Sequence, residues 1–92
     1  MIIRFRHAGL ERLYTTGNAS GVSVDLVKRL KVRLGLLASA KAPQVMNLPG
    51  YRLHPLVGDL KGYWSVTVSG NWRLIFRFEG EDATDVDLVD YH

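Results

Sequence analysis

Two histidines, an arginine, an aspartate and a tyrosine form the chemistry-bearing set of this sequence. His54 lies in Tyr51-Arg52-Leu53-His54-Pro55-Leu56, Arg73 follows Trp72, and the given sequence ends on Asp90-Tyr91-His92. These are the ingredients of metal-free RNA cleavage. Breaking a phosphodiester with the RNA's own 2′-hydroxyl needs a base for that proton, an acid for the departing 5′-oxygen, and cations around the crowded phosphate. Imidazole suits both proton steps because its ordinary pKa of about 6.5 leaves both forms populated near neutrality. Arginine suits the phosphate through paired donors, and a tyrosine or a stacking ring can hold or deprotonate the sugar. The set needs no cofactor.

Each member also has a plainer reading. A histidine beside a proline is most often a surface residue, His7 reads as a helix-start or surface residue, and Tyr63, Trp64 and Trp72 read first as core or cross-strand partners. Two histidines with Asp90 lack the spacing and the third clear ligand of a zinc site, so no metal is expected. Walker loop, nucleophile elbow and dinucleotide fingerprint are all missing from the sequence.

The elements that must position these residues come as helices first and strands afterwards, an α+β order. Ile2 to Arg6 alternates as a short strand. A helix from about Ala8 to Thr15 should bury Leu10, Leu13 and Tyr14 and stop at Gly17. A second helix, capped by Ser23 with Asp25 in its first turn, repeats Val27, Leu30, Leu34 and Leu37 at helical spacing. Its outer face carries Lys28, Arg29, Lys31 and Arg33. Such a stripe usually means solvation, but it can also grip phosphates or an acidic partner. Pro43, Pro49 and Gly50 mark a turn of helix and a loop.

From there the period becomes two. Trp64, Val66 and Val68 alternate with Tyr63, Ser65 and Thr67; after Ser69-Gly70, Trp72, Leu74, Phe76 and Phe78 alternate with Asn71, Arg73, Ile75 and Arg77; Val86 and Leu88 continue the apolar side. Short connections predict an antiparallel sheet with helices on one face and the other face partly open. Arg73 and Arg77 then lie on the open face, where the His54 region and the Asp90-Tyr91-His92 end can meet.

Ninety-two residues predict one domain, spanning 1–92, with a core too small for a deep cofactor cavity. The chain has no cysteine, which excludes thiolate metal sites, disulfides and cysteine nucleophiles and fits a reducing cytoplasm. The start is too charged for a signal peptide and no apolar run approaches membrane length, so a soluble cytoplasmic protein is expected. Through Phe78 the sequence holds all 12 of its Lys and Arg but only Glu11, Asp25 and Asp59 as acids, whereas the remainder is acidic throughout. A body that basic predicts an anionic partner, nucleic acid or acidic protein, with salt-dependent binding. The contact candidates are Arg4, Arg6 and Arg12, the second-helix cations Lys28, Arg29, Lys31 and Arg33, and Lys61 and Arg77.

The string from Tyr51 to Phe78 with the terminal Asp90-Tyr91-His92 resembles the HigB toxins of the RelE/ParE superfamily, and Ile2 to Gly17 is similar to the start of that family. Leu53-His54-Pro55-Leu56, Gly62-Tyr63-Trp64-Ser65 and Asn71-Trp72-Arg73 carry the resemblance. It implies a RelE-like fold with two N-terminal helices packed on one face of a twisted antiparallel sheet. It implies a toxin that cleaves mRNA in the ribosomal A site, leaving a 2′,3′-cyclic phosphate and a 5′-hydroxyl. The family's catalytic histidine falls on His54, its phosphate arginine on Arg73, and its terminal cluster on Asp90, Tyr91 and His92. The implied partners are the ribosome with its mRNA, and a helix-turn-helix antitoxin of the HigA kind, through which alone operator DNA is reached. Some relatives carry a lysine where this chain has Val57, a role that Lys61 or Arg77 could fill. A ParE-like gyrase poison, which needs no proton-transfer residues, and a non-catalytic binding module are the alternatives.

Overall fold

The computed structural model describes residues 1–91, and His92 lies outside the described residues. Helix α1, Ala8–Thr16, opens on His7, whose extended backbone and Nδ1, accepting from the Leu10 N–H at 3.1 Å, do the work of an N-cap. Gly17 closes the helix in the left-handed conformation, φ 79, donating to the Leu13 carbonyl at 3.0 Å. Leu10 and Leu13 are buried as the spacing predicts. Tyr14 is not: it remains 42% exposed and tilts against Phe5 with ring centroids 5.7 Å apart.

Helix α2, Val27–Ser39, follows a 3-10 turn over Val24–Leu26. Ser23 precedes that turn and its side chain makes no capping bond, so the expected cap is replaced by its carbonyl, which takes the Leu26 N–H at 3.0 Å. Leu30, Leu34 and Leu37 are sealed into the core, each contributing about 1.5–3 kcal/mol of burial. The two helical regions approach closely where glycine faces glycine. A Cβ built on Gly9 would stand 2.3 Å from the Gly21 carbonyl oxygen, a distance no side chain tolerates.

The sheet runs β1 (His54–Pro55), β2 (Trp64–Ser69), β3 (Trp72–Glu79) and β4 (Asp82–Asp90) in that spatial order, every pair antiparallel. The N-terminal segment adds to the far side of β4, but in parallel, through bridges Ile2 to Ala83 and Phe5 to Val86. Val66, Val68, Leu74, Phe76, Val86 and Leu88 meet the helix leucines in one cluster with Met46 and Tyr51. Trp64 and Trp72 pack against this cluster, as the plainer reading of them held. One residue is extra in β4: Ile75 pairs with Asp87 but Arg77 with Thr84, leaving Asp85 and Val86 opposite Phe76. Asp85 takes this bulge with φ 51, which a short polar side chain tolerates better than most.

The face turned away from the helices is less open than the alternation suggests. Ser65 and Ile75, paired side by side at its centre, are both buried. Arg73 and Arg77, both half-buried, flank Ile75 two residues to either side, with their guanidinium carbons 5.7 Å from the centre of the Tyr91 ring and 5.8 Å from that of Tyr63.

Candidate active site

His54 stands on the edge strand β1, exposed, in register with Ser65. Its Nδ1 lies 3.1 Å from the carbonyl oxygen of Arg52. A carbonyl can only accept, so this contact requires the proton on Nδ1 and leaves Nε2 as the open, basic nitrogen of the neutral ring. Arg52 holds a left-handed backbone, φ 52, one of two positive-φ non-glycine residues among the described residues.

Arg73 is half-buried, and its Nη1 donates to the carbonyls of Gly70 at 2.7 Å and Trp72 at 3.2 Å. Those bonds orient the guanidinium without neutralising it. Its carbon lies 5.7 Å from the centre of the Tyr91 ring, whose own backbone N–H is fixed on the Asn71 carbonyl at 2.8 Å. Arg73 and Tyr91 are therefore together. His54 is further off: with strands about 4.8 Å apart and a rise of about 3.4 Å per residue, its Cα lies ~12 Å from that of Arg73 and ~20 Å from that of Tyr91. His54 and the Arg73–Tyr91 pair thus share one face of the sheet without forming a single compact cluster.

Asp90 is exposed and pairs with Trp72, on the face that Trp72 turns to the core, so the two-residue period sets it opposite to Tyr91. Asp90 and Tyr91 thus alternate along the strand, and His92, the third member of the expected cluster, falls outside the described residues. Val57 is exposed, as is Lys61 across the following 3-10 turn.

The cations expected at an RNA surface divide by environment. Lys28 and Lys31 are exposed on α2, and Arg29 is exposed with its Nη1 3.3 Å from Ser69 Oγ. Arg33 departs from the expected outer face: it is buried, donates from Nε to the Thr67 carbonyl at 2.8 Å, and covers the Tyr51 ring at 4.2 Å. Burial lowers its pKa from the ordinary arginine value. It ties α2 to β2. Arg12 is exposed beside Gly21. Arg6 donates from Nη1 to the Tyr63 hydroxyl at 3.0 Å, a bond that raises its pKa.

Arg4 and Arg77 share one carboxylate. Arg77 donates from Nε and Nη2 to Asp85 Oδ2 at 3.0 and 2.7 Å, and Arg4 from Nε to Oδ1 at 2.7 Å. The hydrogen bond from Arg77, opposed by burial and reinforced by Arg4, holds the Asp85 carboxyl below the ordinary carboxylate range. The clamp joins the N-terminal segment to β3 and β4. The sequence reading had missed it, along with the turned backbone of Arg52 and the hydroxyl of Ser65, the one buried side-chain polar atom without a hydrogen-bond partner among the described residues.

The same two-helix, four-strand arrangement recurs in YafQ from E. coli strain BL21(DE3), with a TM-score of 0.66, 18% identity, and coverage of 98% of this chain and 91% of that one. A histidine-to-glutamine variant of E. coli YafQ aligns with a TM-score of 0.65 at 22% identity and the same coverage. In sequence, the chain is 44% identical to Endoribonuclease HigB of Proteus vulgaris over the full length of both. It is 30% identical over 80 residues to Toxin HigB-1 of Vibrio cholerae, covering 85% of this chain and 84% of that one. The family described as RelE-like toxin of type II toxin-antitoxin system HigB matches residues 3–92. The molecule is thus of the class of RelE-like toxins, which act with an antitoxin as their counterpart. It belongs to the HigB-like toxin family.

Proposed function

We propose that this toxin is an RNA endonuclease that cleaves mRNA on the ribosome, in the A site, and so halts translation in the cytoplasm. The observation that carries this reading is the shared sheet face, with His54 on one flank and the Arg73–Tyr91 pair on the other. The naming of the Proteus vulgaris relative as an endoribonuclease supports it. His54 Nε2 takes the 2′-hydroxyl proton, the 2′-oxygen bonds to phosphorus, and the P–O5′ bond breaks. The departing 5′-oxygen receives a proton from Tyr91 or His92, with Asp90 assisting. The products are a 2′,3′-cyclic phosphate and a 5′-hydroxyl, and no metal or cofactor takes part. Arg73 meets the negative charge that builds on phosphate.

Residues 1–92 serve as one toxin domain. Ribosomal RNA is gripped by the exposed cations, Arg4, Arg6 and Arg12 on one side and Lys28, Arg29 and Lys31 on the other, with Lys61 beside the site. A helix-turn-helix antitoxin of the HigA kind blocks the toxin. The exposed imidazole of His54 on that face favours nuclease over gyrase poison.

Purified toxin is mixed with programmed ribosomes, and mRNA ends are mapped. Cleavage with 5′-hydroxyl ends is expected, slowed by about 10²-fold or more in Arg73→Ala, with Lys a poor replacement. Intact mRNA combined with inhibited DNA supercoiling would replace this reading with the gyrase one.

A further inference from the structure

We propose that the backbone of Arg52 is a positioning device that selects the reactive tautomer of His54, an inference that rests on the reading of His54 as the base. Three observations converge. Arg52 holds φ 52, a conformation that costs a non-glycine residue of this kind free energy and persists only where its surroundings enforce it. Tyr51, immediately before it, is buried in the core, with its N–H on the Leu48 carbonyl and its own carbonyl accepting from the Thr67 N–H at 2.7 Å. His54, two residues after it, is fixed in β1. Tyr51 is bonded to Thr67 and His54 is paired with Ser65, so three residue steps on this side face two on β2, and Arg52 absorbs the extra residue by turning into the left-handed conformation.

The consequence is chemical. The turn delivers the Arg52 carbonyl to His54 Nδ1 at 3.1 Å. A neutral imidazole free in water favours the proton on Nε2, the opposite of what a base exposed through Nε2 requires. A carbonyl at Nδ1 reverses that preference, because it can only accept and so pairs with the ring that carries its proton on Nδ1. The side chain of Arg52, which is exposed, takes no part in this. What matters is whether the residue at 52 accepts a left-handed backbone.

Two substitutions separate backbone from side chain. Glycine adopts positive φ freely, whereas a β-branched valine is strongly disfavoured there. Nitrogen-15 NMR of the histidine ring, assigned with His54→Ala, reads the tautomer directly, and single-turnover cleavage on ribosomes reads its effect. The wild type and Arg52→Gly should both carry the proton on Nδ1 at neutral pH, and Arg52→Gly should keep a near-normal kcat. Arg52→Val should shift the proton toward Nε2 and lower kcat roughly 3- to 10-fold, the worth of one exposed hydrogen bond, with KM unchanged. A wild-type ring protonated on Nε2, or Gly and Val variants that behave alike, overturns the proposal. Failure of the underlying reading looks different: His54→Ala would then cleave as fast as the wild type whatever the tautomer.

Discussion

Replacing Asp85 with asparagine removes one charge from the clamp and almost nothing else. Asparagine has the same shape and tolerates the positive φ of the bulge, so backbone strain is held constant. The loss is electrostatic. The carboxylate takes two donors from Arg77 on one oxygen and the Arg4 guanidinium on the other. In Asp85→Asn the single amide oxygen serves one arginine, and the amide N–H groups face the other, donor against donor. Charge-assisted bonds of this kind contribute about 1.5–3 kcal/mol when buried. Arg4 is mostly exposed, so solvent screens its share to well under 1 kcal/mol, and a net loss of about 1–2 kcal/mol remains. For a chain of this length that is a fall in Tm of about 5–15 °C at pH 7.

The pH dependence gives a sharper test of the same substitution. The folded carboxyl titrates below its unfolded value, so its stabilisation is fully present above the ordinary aspartate pKa. It is lost as pH falls through the depressed folded value. Thermal melts from pH 7 downward should therefore show the wild type and Asp85→Asn converging below about pH 4. Equal Tm values at pH 7, or a gap that acid does not narrow, would refute the clamp as a stabilising charge interaction.

Two further perturbations follow from the packing. Gly9→Ala forces a methyl against the Gly21 carbonyl, so α1 or the loop before α2 must move; a loss of about 1–3 kcal/mol in urea unfolding is expected, and an unchanged midpoint would contradict the close approach. Ser65→Ala removes a buried hydroxyl that has no hydrogen-bond partner and should raise stability by about 1 kcal/mol; a loss of stability would mean that the hydroxyl is satisfied in solution, and a selective loss of cleavage would place it in service of its neighbour His54.

What was legible in the sequence was periodic. The leucine spacing of α2 and the alternation from Trp64 to Phe78 gave the helix, the hairpin and the division of faces, because burial imposes those periods directly on residue type. The misplacements have separate causes. Arg33 looked like one more solvent-facing cation, yet an arginine's length lets it reach a carbonyl on β2 and lie over Tyr51 from the margin of the helix face. Tyr14 shares a helix face with buried leucines but is wide enough to sit at its edge. The β4 bulge did leave a trace: Ala83 and Val86, both in the core, are three residues apart where a regular strand allows two or four. Nothing local in Tyr51-Arg52-Leu53 announces the turn at Arg52, since it is imposed by anchors on either side.

The sheet face sets its two arginines to different work, although both stand two residues from Ile75. Arg77 faces carboxylates: Asp85 takes its fork and Glu79 lies 3.6 Å from its Nη2, so most of its charge is answered within the fold. Arg73 is steered by two carbonyls, which fix its direction and leave its charge in place. On the proposed reading, a phosphate on this face would meet Arg73, already oriented by the fold, and would gain little from Arg77 unless the clamp opened. The same reasoning bears on Val57. If a lysine at that position helps other members of the family to hold phosphate, Arg77 is a poor substitute here because its partners are already chosen. Lys61, exposed beyond the adjoining turn and in no ion pair among the described residues, is a better candidate for that part.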